Sequence, residues 1–170
     1  MIVDFTPAND VEETLVRAAT DPKARPEFYR RLLAAELFLL TDEAKLVDGE
    51  TSRPAAADAK LATWGSPSGP YVPVFSSRAR VDEIGRVRER SYGFIALSGK
   101  AAFARLAQEK QAAFLNPGFA CGKQFSRDVI DRLAGGEKAV PQAGAGDHTP
   151  GPELIEGEGE KQSKPWWKIW

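Results

Sequence analysis

Tyr92-Gly93-Phe94-Ile95-Ala96-Leu97-Ser98-Gly99-Lys100-Ala101-Ala102-Phe103-Ala104-Arg105-Leu106-Ala107 is the stretch on which the fold turns. Residues 92–97 are rich in aromatic and β-branched side chains and read as a strand. Ser98 then caps a helix whose apolar stripe is Phe103, Leu106 and Ala107. Gly93 and Gly99-Lys100-Ala101 give this strand–helix junction a superficial likeness to a phosphate-binding loop. The glycine spacing is one residue too long, Ala101 stands where a metal-binding hydroxyl is needed, and the intervening residues are needed as strand. Lys100 is therefore read as a surface residue of the first turn.

Working outward, the same alternation repeats. Ser77 caps an upstream helix with Val81, Ile84 and Val87 as its expected inner face. Downstream, residues 112–115 form a short strand ended by Asn116, Pro117 and Gly118, and a last helix starts near Ser126, buries Val129, Ile130 and Leu133, and stops at Gly135 and Gly136. Further upstream, Asn9 and Asp10 open a helix carrying Val11 and Leu15, with Glu12 and Glu13 supporting its first turn, and Asp21-Pro22 ends it near Thr20. Pro26 starts a second helix with Phe28, Leu32 and Ala35 inward and Arg30 and Arg31 in water. Residues 37–40 are an unbroken apolar run, which suits a central strand covered on both faces. Residues 43–58 read as a surface loop with room for a short irregular element. Residues 60–64 and 71–75 read as a hairpin, with Pro73 placing its strand at an edge or a bulge. Alternating strands and helices predict an α/β (α+β) fold: one domain with a mixed β-sheet flanked by helices, followed by a flexible C-terminal tail.

The arithmetic of the chain narrows its chemistry. Its 170 residues accommodate one domain plus an appendage, and a hydrophobic share of 42% supplies a core. Net charge is 23 − 24 = −1, and residues 1–136 alone carry 19 basic against 18 acidic side chains, so no basic body is masked by an acidic tail. Nucleic acid is not an expected partner. One Cys and one His exclude an internal disulfide and a thiolate–imidazole zinc site, and no metal or cofactor is expected. The first ten residues lack a basic start and an apolar run follows nowhere near it, so the expected location is the cytoplasm. The greasiest segment, residues 32–40, is interrupted by Glu36 and falls far short of a bilayer span.

Three clusters invite a chemical reading. Asn116, Gly118, Gly122, Lys123 and Gln124 lie in a sharply turned, glycine-bearing loop that is a candidate ligand cradle, against the simpler reading of a strand–helix connection anchored by Phe119 and Phe125. Cys121 lacks a base, since the only His, His148, falls in the tail, so it reads as a packed thiol. Arg78, Arg80, Arg86, Arg88 and Arg90 are interleaved with Asp82, Glu83 and Glu89 and read as a solvated helix face.

The tail departs from everything before it. Residues 136–163 are rich in Gly, Pro and Glu and read as a flexible linker with a reach near 30 Å. Residues 164–170 then bring Lys164, Trp166, Trp167, Lys168 and Trp170, so three of the four Trp residues fall in the last five positions. Exposed aromatics of this kind anchor interfaces. They mark residues 164–170 as a docking element for a protein partner, with weak contact to an anionic membrane surface as a second expectation and folding back onto the domain as a third.

Leu115-Asn116-Pro117-Gly118 followed by Gly122-Lys123-Gln124-Phe125 and the helix behind it resembles the N-terminal domain of the SseB (enhanced serine sensitivity) family. Tyr71-Val72-Pro73-Val74-Phe75-Ser76-Ser77 resembles that family's VPVFTS strand, and residues 21–40 its helix-to-first-strand region. The likeness runs in register over roughly residues 9–135. It implies a bacterial protein of that fold, without an established reaction or catalytic residues. Longer members carry a second, C-terminal domain where this chain has its linker and aromatic terminus. Together these readings predict a domain over residues 1–135, a linker over 136–163 and a terminal motif over 164–170. The expected function is a non-enzymatic binding or adaptor module with a tethered Trp-rich tail. The alternative is a small-molecule sensor or enzyme with a pocket near residues 116–125.

Overall fold

A computed structural model describes residues 6–42 and 52–135. Asn9 caps helix α1 (Asp10–Thr20) by accepting from the Glu12 N–H, and Asp21 ends it and caps a 3₁₀ turn over Pro22–Ala24. Helix α2 (Arg25–Ala34) follows with Pro26 in its first turn, where the missing N–H is of no consequence. The chain then enters strand β1 (Glu36–Thr41), buried from Leu37 onward. Strand β2 (Ser52–Pro54), strand β3 (Val72–Phe75), helix α3 (Arg78–Arg88), strand β4 (Tyr92–Ser98), helix α4 (Gly99–Gln108), strands β5 (Ala113–Leu115) and β6 (Lys123–Phe125), and helix α5 (Arg127–Ala134) complete the order.

The six strands form one mixed sheet in the order β2-β4-β1-β3-β5-β6. β2 is parallel to β4 and β3 to β5, while β1 runs antiparallel to both β3 and β4, and β6 antiparallel to β5. The carboxyl ends of β3, β4 and β5 therefore meet at one edge, beside the start of β1. Alternation along β1 divides the core. Leu37 and Leu39 pack with α1, α2, α4 and α5 through Leu15, Phe28, Phe103 and Ile130. Phe38 and Leu40 pack on the other face with Val81 and Ile84 of α3 and with Phe75, Phe94 and Phe119. This is the predicted mixed sheet flanked by helices, with one helix alone on its second face.

Several local expectations need correction. Val87 is 39% exposed; the buried face of α3 is Arg80, Val81, Ile84 and Gly85, and at 3.6 residues per turn Val87 lies about a quarter turn from its centre. Residues 60–64 do not form a hairpin strand: only the bridges Thr41–Leu61 and Trp64–Tyr71 occur. Ala62 donates to the Leu40 carbonyl and so extends the end of β1 instead. Pro73 is neither at an edge nor bulged, because β3 lies between β1 and β5. The β1–β3 ladder stops at Leu39–Val74, so the prolyl nitrogen falls past its end and no ladder donor is lost. Within the loop predicted over 43–58, Ser52–Pro54 is a short edge strand.

Candidate functional site

The carboxyl edge of the sheet gathers most of the buried polar chemistry. β3 ends at Phe75, and Ser76 and Ser77 turn the chain into α3, with Ser77 capping it through the Arg80 N–H. β5 ends at Leu115, and Asn116 turns there at φ 50°, a left-handed conformation that Asn tolerates better than most residues. Its N–H donates to the Val74 carbonyl (2.8 Å), and its side-chain oxygen accepts from the Ser76 N–H (3.0 Å). These two strand ends are tied to each other before any helix is added.

Glu12 enters from α1, and Arg80 from α3. Glu12 and Asn116 are wholly buried and Arg80 nearly so. The Arg80 guanidinium grips the carboxylate with two parallel bonds, Nε to Oε1 at 3.0 Å and Nη2 to Oε2 at 2.8 Å. Its remaining donors reach the Thr6 carbonyl (2.6 Å) and Glu83 (3.0 Å), and its Cζ lies 4.9 Å from the centroid of the Phe119 ring. The carboxylate also accepts from the Ser76 hydroxyl, the Asn116 amide (3.3 Å) and the Ala8 N–H (2.8 Å). Burial pushes the Glu12 carboxyl upward, but the bonds from Arg80, Ser76 and Ala8 and the charge of Arg80 outweigh it and leave the group below its ordinary value of 4.5. Hydrogen bonding to Glu12, resisted by desolvation, raises Arg80 in turn. Both stay charged, and each is saturated by the other's neighbours.

Beside this network opens a cleft of about 560 Å³. Its walls are the chain entering α1 (Ala8, Asn9, Asp10) and the start of α3 (Ser77, Arg78, Ala79), and between them lie the exposed Glu36 and the edge of Phe38, whose ring is otherwise buried with Val81, Ile84 and Phe94. Asn9 and Ser76 belong to both: the Asn9 amide donates to the Ser76 carbonyl (3.3 Å), joining the rims. In open α/β sheets the carboxyl ends of strands are where ligands are usually held.

The loop residues singled out from sequence have different surroundings. Asn116 is the hub of the buried network. At Gly118, with φ 90°, an added Cβ would sit 2.7 Å from Ile84 Cδ1, and at Gly122 2.8 Å from the Leu115 carbonyl oxygen. Lys123 is buried on β6, its ammonium 5.7 Å from the Phe125 ring centroid. Gln124 is exposed and donates to the Ser68 hydroxyl (3.0 Å). Cys121 is buried and desolvation pushes its thiol up to about 12, the reverse of what a nucleophile needs. Lys164, Trp166, Trp167, Lys168 and Trp170 lie outside the described residues. Sequence reasoning missed Arg80, which was placed on a solvated face and is instead buried against Glu12. A cation in the first turn of a helix, one turn before Ile84 on the apolar stripe, opposes the helix dipole and was the signal available.

The SseB protein N-terminal domain profile matches residues 11–132, more than two thirds of the chain. The chain belongs to the SseB family. No curated protein and no solved structure matches it. The matched span of the SseB domain begins within α1, one residue before Glu12, and ends in α5, so it contains Glu12, Ser76, Arg80, Glu83 and Asn116. Among its described residues no group of His, Cys, Asp and Glu is placed to hold a metal ion, and no helix is long and apolar enough to cross a membrane.

Proposed function

We propose that this SseB-family chain is a binding module that works without covalent chemistry, its domain presenting the cleft at the carboxyl edge and its Trp-rich terminus engaging a protein partner. The observation that carries this reading is the mutual saturation of the buried polar groups. Glu12 and Arg80 are consumed by each other and by Ser76, Asn116 and Glu83. A general acid or base must present a titratable group to the substrate with a pKa near the working pH. Here the buried carboxylate is held below its ordinary range and the buried thiol far above its own. What the edge offers is a shaped concavity with polar rims and the edge of Phe38 between them, suited to recognition.

The tail supplies the second half of the reading through its composition, since Trp residues dominate the energetics of interfaces. Quantitative capture from host lysate with the full chain and with its Trp166→Ala, Trp167→Ala, Trp170→Ala variant tests it. Retention of at least one protein is expected to fall about tenfold or more in the variant, as loss of hot-spot aromatics costs about 2 kcal/mol or more. Identical retention by both chains removes the tail from the reading. The small-molecule alternative near residues 116–125 is checked by Lys123→Ala, which it requires to abolish ligand-induced thermal stabilisation without unfolding the domain.

A further inference from the structure

Among the described residues α3 is the one helix on the second face of the sheet, joined there by Ala62, Trp64 and Phe119, and together they do not reach the whole of it. In the pairing of β1 with β4, Phe38 stands opposite Ala96 and Glu36 opposite Ser98. Glu36, Ala96 and Ser98 are exposed, so this corner of the sheet is bare. The cleft is that bare corner with walls. Its charges are not equivalent. Asp10 pairs with Arg31 at 3.3 Å and Arg78 approaches Asp82 at 4.0 Å. Glu36 has no ion-pair partner among the described residues. The concavity thus combines the edge of Phe38, small apolar walls at Ala8, Val11, Ala35 and Ala79, and a carboxylate without an ion-pair partner among the described residues.

Residues 164–170 carry the complement: Trp166, Trp167, Ile169 and Trp170, with Lys164 and Lys168 among them. Thirty-five residues follow Gly135 (170 − 135), and a coil of that length reaches about 30 Å, enough to cross a domain of this size. Such a tether holds its end at an effective concentration of about millimolar, so contacts too weak to hold a free peptide tightly are enough to close it. Val87, the exposed large apolar side chain among the described residues, is flanked by Arg86, Arg88 and Arg90, which repel the two tail lysines.

We propose that residues 164–170 dock in cis into the cleft between the first turns of α1 and α3, with Trp side chains on Phe38 and Lys168 beside Glu36. The inference rests on the reading of the terminus as a docking element and adds its resting place: the domain covers its own tail until a partner competes for it. Amide chemical shifts decide the matter. Asn9, Glu36 and Ala79 are expected to shift between the full chain and the triple Trp→Ala variant, equally at protein concentrations about tenfold apart. A peptide of residues 164–170 added to the variant is expected to restore those shifts saturably. Glu36→Lys in the full chain should reproduce the variant's shifts at Asn9 and Ala79, and adding Lys168→Glu should return them toward the wild-type positions; circular dichroism checks that both remain folded. Unmoved cleft amides, shifts confined to the surface around Trp64 and Arg88, or shifts that grow with protein concentration and so assign the tail to a second copy, each overturn the proposal. Capture of a partner that still depends on the three Trp residues would then leave the binding reading standing alone.

Discussion

Glu12 is a charged side chain with no exposure, and what keeps it there is a set of four partners, Ala8, Ser76, Arg80 and Asn116. Removing one member of such a pair leaves the other buried and uncompensated, which costs about 3–5 kcal/mol. Glu12→Gln keeps the shape and loses the charge, so Arg80 becomes the stranded partner, and a loss of that order is expected in urea denaturation at neutral pH. The same residue sets a pH dependence. Its folded-state pKa lies below the unfolded value, so the unfolded chain binds the proton more readily. The stabilisation is present above the ordinary value of 4.5 and is lost as pH falls through the lowered folded value. Wild type should therefore lose stability below about pH 4.5 more steeply than Glu12→Gln, and the two should converge. Parallel curves of stability against pH would refute the assignment. The position of Glu12 in a capped first turn was legible from Asn9 alone. Its partner was not: the place of Arg80 one turn before Ile84 marks that arginine out, but nothing local points from it to a carboxylate 68 residues away.

At the scale of elements, legibility followed how local the determining interaction is. The caps at Asn9, Ser77 and Ser98 were readable because each is settled within one turn. Pro73 was misjudged because a prolyl nitrogen is harmless wherever the neighbouring ladder has ended, and ladder length is a property of two strands together. Residues 60–64 differ from expectation for the same reason: Leu61 and Ala62 pair with the end of β1, and only Trp64 keeps the predicted partner, Tyr71. Gly99 shows how a tertiary contact reverses a propensity argument. Ala outranks Gly in helices by about 1 kcal/mol, so Gly99→Ala in α4 would be called stabilising from sequence. The added Cβ would lie 1.9 Å from the Leu32 carbonyl oxygen, because α4 starts directly against the end of α2, where the Gly99 N–H donates to Ala35. Relieving that clash requires backbone movement, so Gly99→Ala is expected to lose about 2–3 kcal/mol, within the range of overpacked cores. Gly65→Ala, with nothing within 4 Å, is the control and should change thermal stability little. Equal melting temperatures for the two variants would show that α2 and α4 move apart freely.

The whole molecule is unequal about its sheet. One face carries α1, α2, α4 and α5 over a continuous core, while the other carries α3, whose large buried apolar side chains are Val81 and Ile84. Burying those two contributes about 3–6 kcal/mol before the entropy of ordering the helix is subtracted. Helix α3 is held additionally at its N-terminus by Arg80 in Glu12, and near its middle by the Ser52 hydroxyl on Asp82 (2.5 Å). This arrangement makes α3 the α-helix with the least apolar anchorage and the one tied to the buried Glu12–Arg80 pair through its own arginine. Native-state hydrogen exchange is therefore expected to find a partial opening in which the Ile84 and Gly85 amides exchange at lower free energy than Leu106 in α4 or Leu39 in β1. Glu12→Gln should lower the α3 opening at least as much as the global one, because the network is broken in both. A common free energy for α3, α4 and β1 amides would mean that the two faces unfold together and that the polar network, not apolar area, sets the cooperative unit. The expected inequality matters for binding, since the cleft is walled by the first turn of α3, and a wall that opens below the global free energy lets an occupant enter and leave without unfolding the core.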